Sequence, residues 1–281
     1  MLQPSILITG VSTGIGRAAA ELLLERGFHV FGSVRKLVDA DPLARFGEDF
    51  TPLVFDVTDA AGRRAAADTI QRSGHRLVAL VNNAGIAVSG PLETISEADY
   101  RRQFEVNVFG LLGMCQAVLP LLHGSREAGA DNVKIINVSS VSGYVTSPFT
   151  SLYSASKFAV ESLTDGLRRE LHPYGIDAIS IAPGPVKTPI WDKAKTQTEH
   201  FAGTRYSGML DKLTPYVETA YHSGIAPARV AQKILEAIET RQPRPDQLVM
   251  KKRWLISLLR MLPRRTADRL VLKNLNAARR Y

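Results

Sequence analysis

The segment PSILITGVSTGIGRAAAELLLERG, residues 4–27, constrains the fold more than any other stretch of this chain. A short apolar run suited to a buried strand enters a glycine-bearing turn, and the turn opens directly into an amphipathic helix. Gly10 permits the sharp turn, Gly14 lets backbone approach a ligand closely, and Gly16 allows the helix to pack tightly against the strand. The start of that helix offers unpaired N–H groups, which favour a phosphate. The glycine spacing is GxxxGxG rather than GxGxxG, but its context between strand and helix makes the segment a dinucleotide-binding unit in outline.

Further strand-like runs near Ile6, Val30, Leu53, Leu77, Lys134, Ile179 and Leu248 alternate with helical stretches. That alternation predicts an α/β fold, a doubly wound parallel sheet of about seven strands covered on both faces. One catalytic domain is expected over residues 1–250, with residues 251–281 as a basic helical extension. A chain of 281 residues with 45% hydrophobic and 22% charged residues is ordinary for a globular protein. The single cysteine, Cys115, excludes an intrachain disulfide and suits a reducing compartment, so a cytoplasmic location is the default expectation. The six histidines are scattered without HExxH or a Cys/His cluster, so no metal site is expected. Residues 1–9 lack the features of a signal peptide, and no stretch reaches the roughly 20 apolar residues of a membrane span.

Tyr153 and Lys157 lie in YSASK at the start of a helical pattern, and a spacing of four puts both side chains on one face. Such a pair is common on exposed helices and means little alone. A free phenol titrates near ~10, and an adjacent ammonium is expected to favour its ionised form, making Tyr153 a usable general acid/base. Ser140 stands at the end of the apolar run VKIINVSS, where its hydroxyl can hold a substrate oxygen.

TGVSTGIG, Asp56 in FDVTD, NNAG ending at Gly85, Asn107 in FEVNVFG, NVSS, YSASK and PGPVKTP occur in that order. On these motifs the chain resembles the short-chain dehydrogenase/reductase family over roughly residues 3–250. The resemblance implies that Asn107 joins Ser140, Tyr153 and Lys157 as a catalytic tetrad, with Asn107 holding a water in a proton relay from Lys157 and Lys157 also contacting the cofactor ribose. It also implies cofactor contacts from Ser12, Thr13 and Ile15 beside the glycines, from Asp56 and Val57, and from Asn83, Ala84 and Gly85. Tyr153, Lys157, Pro183, Gly184, Val186 and Thr188 complete that set. A homo-oligomer, such as a homodimer, is expected. The VFGSVR strand and extended tail look similar to hydroxysteroid and retinol dehydrogenase relatives, which implies a steroid, retinoid or fatty substrate.

An acidic residue about 20 positions beyond the glycines usually binds the ribose hydroxyls of NAD. Here HVFGSVRK ends in Arg35 and Lys36, and the nearest carboxylate, Asp39, falls in the following loop. An arginine fork matches a 2′-phosphate, so NADP(H) is favoured over NAD(H). The commoner fate of such charges, simple solvation in a loop, is the competing interpretation.

Residues 188–223 break the alternation after the sixth strand and are expected to form a substrate lid. Tyr144, Phe149, Leu152 and Trp191, together with Ser140, are the pocket candidates. Residues 243–281 contain 11 Lys/Arg and two Asp, a net +9 that leaves the rest of the chain at −1. Within that tail KKRWLISLLRMLPRR combines an apolar helical stripe with basic residues, which fits either an anionic membrane surface or an intramolecular or subunit contact. No nucleic-acid motif accompanies the charge. The expected activity is NADP(H)-linked interconversion of a lipophilic alcohol and its ketone or aldehyde. A non-catalytic NADP(H)-binding regulator and a nucleotide-sugar epimerase or dehydratase are the alternatives.

Overall fold

The computed structural model describes residues 3–189, 201, 203–209, 215, 219, 221–251 and 253–273. Its strands are β1 (Pro4–Ile8), β2 (His29–Val34), β3 (Phe50–Val54), β4 (Arg76–Asn82), β5 (Val133–Val138), β6 (Ile176–Pro183) and β7 (Asp246–Val249). They form one parallel sheet in the order β3-β2-β1-β4-β5-β6-β7. Each of the seven strand-like runs in the sequence is one of these strands. Side chains along a strand alternate between faces, and β1 shows this: Ile6 and Ile8 join one core while Leu7 joins the other.

The helices α1 (Gly14–Glu25), α2 (Ala60–Arg72), α3 (Glu97–Phe104), α4 (Leu111–Glu127), α5 (Ser151–Leu171) and α6 (Pro227–Glu239) cover the sheet. On one face, Ala19 and Leu23 of α1 and Val230, Ile234 and Ile238 of α6 pack with Ile6, Val30 and Ile179. On the other, Ile70 of α2, Met114, Val118 and Leu122 of α4, and Val160 and Leu167 of α5 pack with Leu7, Phe31 and Leu80. Two short helices, α7 (Trp254–Met261) and α8 (Arg264–Lys273), follow β7. The strand order reverses between β1 and β4, and that switch point opens a crevice at the carboxyl ends of the strands.

Two features depart from expectation. Between β2 and β3 no full α-helix forms. Leu37–Asp49 is a 3₁₀ segment containing Pro42 and broken at Gly47, where φ is 57°. Proline removes a helical N–H, and the left-handed glycine reverses the chain. In addition, one continuous helical run, Glu97–Glu127, is long and apolar enough to cross a membrane, contrary to the expectation that no segment is. Its residues Met114, Cys115, Val118 and Leu122 are fully buried against the sheet, so the apolarity of this run serves the core.

Candidate active site

The crevice is a cleft of about 730 Å³ whose walls include the loop after β1, the ends of β2, β4, β5 and β6, and the start of α5. Gly10 and Gly14 adopt φ of 74° and 61°, a region that disfavours residues with a side chain. A Cβ on Gly16 would collide with the Gly10 carbonyl and lie 2.5 Å from the Asn83 amide nitrogen, so only glycine lets α1 press this close. Thr9 Oγ1 accepts the backbone N–H groups of Asn83 and Ala84, each at 3.0 Å. The Asn83 amide donates to the carbonyls of Thr9 and Gly10 at 2.9 and 3.0 Å, tying the end of β4 to the glycine turn. Thr13 caps α1 in an extended conformation without a side-chain cap bond, which leaves the first helical N–H groups for an anion.

These features fit a dinucleotide. Ser12, Thr13, Ile15, Arg35, Asp56, Val57, Asn83, Ala84, Gly85, Pro183, Gly184, Val186 and Thr188 all line the cleft with Gly10 and Gly14, as the sequence led us to expect, while Gly16 stands behind the turn. Arg35 is exposed at the end of β2, and among the described residues no carboxylate lies within ion-pair distance of it. Asp56 Oδ1 is held by the N–H and hydroxyl of Thr58 at 2.9 and 2.8 Å.

Ser140, Tyr153 and Lys157 meet in the same cleft. Lys157 is 6% exposed, and its Nζ donates to the Val138 carbonyl at 2.9 Å. Nζ lies 5.8 Å from the centre of the Tyr153 ring. Burial lowers the Lys157 pKa to about 8, with the nearby Glu161 carboxylate opposing. Tyr153 moves the other way from the sequence-based expectation. Burial raises its phenol above the ordinary value, and a hydrogen bond with Ser140 opposes this only in part. The cause is desolvation of the anionic form. At neutral pH Tyr153 therefore holds its proton.

Asn107 sits in a π-helical turn, Glu105–Gly110, between α3 and α4. Its side-chain oxygen accepts the Ile86 N–H at 2.9 Å, and its amide donates to the Ile86 carbonyl at 2.9 Å and to Ser156 Oγ at 3.1 Å. Ser156 in turn donates to the Tyr153 carbonyl at 2.7 Å. The amide is thus committed to bracing the loop after β4 against α5. Gln103 braces the same loop, accepting the Val88 N–H at 2.7 Å and donating to the Ile86 carbonyl at 2.9 Å.

Three pocket candidates are placed elsewhere. Tyr144 does not line the cleft: its hydroxyl donates to Glu161 Oε2 at 3.0 Å and lies 3.5 Å from Asp246 Oδ1. Burial and then these carboxylates raise its phenol pKa. Leu152 is buried and does not line the cleft. Phe149 is also outside the lining, with a left-handed φ of 64°; its carbonyl accepts the Gly90 N–H at 2.7 Å and its ring meets Tyr206 edge-on at 6.0 Å. Trp191 lies outside the described residues, as does much of the expected lid. Within the described part, Phe201 packs over Gly90, and the Tyr206 hydroxyl bonds Glu93 Oε2 at 2.6 Å. This segment rests on the stretch that follows β4.

Glu161 escaped the sequence reading. It follows Lys157 by one helical turn, its pKa is raised by burial, and it accepts the Ser180 hydroxyl at 2.7 Å as well as Tyr144. A Lys–Glu spacing of four was visible in KFAVE, but the same pattern marks ordinary surface pairs.

The family model for short chain dehydrogenases matches residues 4–199, and the chain belongs to the short-chain dehydrogenase/reductase family. It is similar to an NADPH-dependent 3-dehydrocapnine reductase of Ornithobacterium rhinotracheale, 38% identical over 273 residues and covering 96% of each protein. It is also similar to a 3-ketodihydrosphingosine reductase of Bacteroides thetaiotaomicron, 33% identical over 243 residues and covering 86% of each. Among solved structures, a short-chain dehydrogenase from Burkholderia cenocepacia in complex with NADP is 26% identical, with a TM-score of 0.73 and coverage of 96% of this chain and 98% of that one.

Proposed function

We propose that this protein is an NADP(H)-dependent oxidoreductase that interconverts a secondary alcohol and its ketone on a long-chain, lipophilic substrate. The observation that carries this reading is the convergence of Ser140, Tyr153 and Lys157 on the cleft that also holds the glycine cradle and Arg35. Gly10, Gly14 and the α1 N-terminus would hold the pyrophosphate, Arg35 the 2′-phosphate, and Lys157 the ribose. When bound, the cofactor supplies or accepts the hydride.

The chain's own residues handle the oxygen and its proton. Ser140 and Tyr153 both line the cleft, so a carbonyl oxygen entering between them would take a hydrogen bond from each. Tyr153, kept neutral by burial, releases its proton to that oxygen during reduction. Lys157, with a pKa near 8, is an acid strong enough to stabilise the resulting phenolate and to pass a proton towards it. Positioned proton transfer of this type contributes about 10²–10⁴-fold in rate.

NADP(H) is supported by Arg35 and by the NADPH-dependent relative, although another similar structure, from Burkholderia phymatum, is a complex with NAD. A fatty substrate is supported by the reductases named above: one of their substrates, 3-ketodihydrosphingosine, is a long-chain ketone. A cytoplasmic location is supported by the single cysteine, which suits a reducing compartment. The test is a panel of short, long-chain and steroidal ketones and alcohols, each assayed with both cofactors by nicotinamide absorbance. Turnover of long-chain ketones with NADPH is expected. Turnover confined to short polar carbonyls, or preference for NADH, would contradict the reading.

A further inference from the structure

The helix α7 is amphipathic in an inverted sense. At 100° per residue, Trp254, Leu258 and Met261 share one face and Leu255 flanks it, and these are 60%, 47%, 82% and 37% exposed. The side turned to the protein carries Ile256, which is 8% exposed. Arg260 lies on that flank too, its guanidinium 5.4 Å from the centre of the Tyr144 ring. The apolar stripe therefore points outward from a helix that is anchored on its opposite side. A helix that merely closed over its own domain would bury the stripe instead.

The stripe is flanked along the chain by positive charge. Lys251, Arg253, Arg264, Arg265 and Arg269 are all exposed, and Asp268 is the one acidic residue in residues 251–281. An exposed apolar face with basic borders matches an acyl boundary beneath anionic headgroups. A second copy of the chain fits poorly, because it would bring together two tails each carrying +9.

We propose that α7 and its basic flanks dock the enzyme on an anionic lipid bilayer. Trp254, Leu258 and Met261 enter the interface, while the flanking arginines and lysine pair with lipid phosphates. Through Arg260 and Tyr144 the docked helix leans on the segment that begins at Ser140, so docking brings the bilayer close to the catalytic wall. The surface stands independently of the substrate. Only its use, delivery of a membrane-borne ketone, rests on the function proposed above.

The test is vesicle flotation of the full chain without cofactor or substrate, so its result does not depend on the substrate reading. Vesicles of phosphatidylcholine alone are compared with vesicles that also contain phosphatidylglycerol. Binding is expected only to the anionic vesicles, and should weaken about tenfold or more when salt shortens the screening length from roughly 10 Å to a few ångström. The double substitution Trp254→Ser with Leu258→Ser should reduce binding at least about tenfold while leaving NADPH affinity and turnover of a water-soluble ketone unchanged. Failure of the parent to float with anionic vesicles at low salt would overturn the proposal. So would equal flotation of the double variant, or sedimentation showing that a parent dimer dissociates in that variant while vesicle binding is absent.

Discussion

Arg35, exposed directly after β2, has no acidic partner among the described residues. A charged hydrogen bond to a 2′-phosphate contributes about 1.5–3 kcal/mol, so Arg35→Ala should weaken NADPH roughly 10- to 100-fold and leave NADH nearly unchanged. Titration of both cofactors into parent and variant measures the difference; equal weakening would remove Arg35 from cofactor selection. Glu161 acts one residue further from the chemistry. Its carboxylate favours the Lys157 ammonium and opposes the burial that brings Lys157 to about 8. Removing the charge in Glu161→Gln should let Lys157 lose its proton at lower pH. The alkaline fall in the kcat profile should therefore move down by a measurable fraction of a unit, with Tyr144, Ser180 and Asp246 still present as polar neighbours. A uniform loss of kcat without that movement would indicate packing alone.

The central strands were legible because β1, β2, β4, β5 and β6 are largely buried on both faces of a parallel sheet, which makes each an apolar run bounded by turns, while the edge strands β3 and β7 are partly exposed. Ser140, Tyr153 and Lys157 were legible because their chemistry sits in short motifs on consecutive elements. Tyr144 was misplaced because motif proximity does not reveal which way a side chain turns, and here the half-buried carboxylate of Glu161 on α5 claims its hydroxyl. The direction of the Tyr153 shift was missed for a related reason: desolvation depends on what surrounds the whole ring, which sequence spacing does not show. At the element scale, the glycines of α1 and α4 give a paired test. Gly16→Ala forces a methyl into the Gly10 carbonyl and the Asn83 amide and should cost about 1–3 kcal/mol together with a loss of NADPH binding. Gly124→Ala meets nothing within 4 Å on an exposed stretch of α4 and should raise stability by about 0.5–1 kcal/mol. Thermal melts with and without NADPH check both.

Across the molecule, the topology concentrates chemistry at one end of the sheet. The strand reversal opens the cleft, the glycine turn and Arg35 form one half of it, and Ser140, Tyr153 and Lys157 form the other. Beyond the cleft lining, Tyr206 meets Phe149 and Arg260 of α7 reaches the Tyr144 ring. The central claim is that this end reduces a ketone with Tyr153 as proton donor. Tyr153→Phe removes the transferable proton while preserving the ring, so the most direct measurement is NADPH consumption with a long-chain ketone, run beside NADPH binding, in parent and variant. Near-equal NADPH affinity is expected, with a kcat in Tyr153→Phe reduced by about 10²-fold or more. A variant that binds NADPH and turns over within a few-fold of the parent would contradict it.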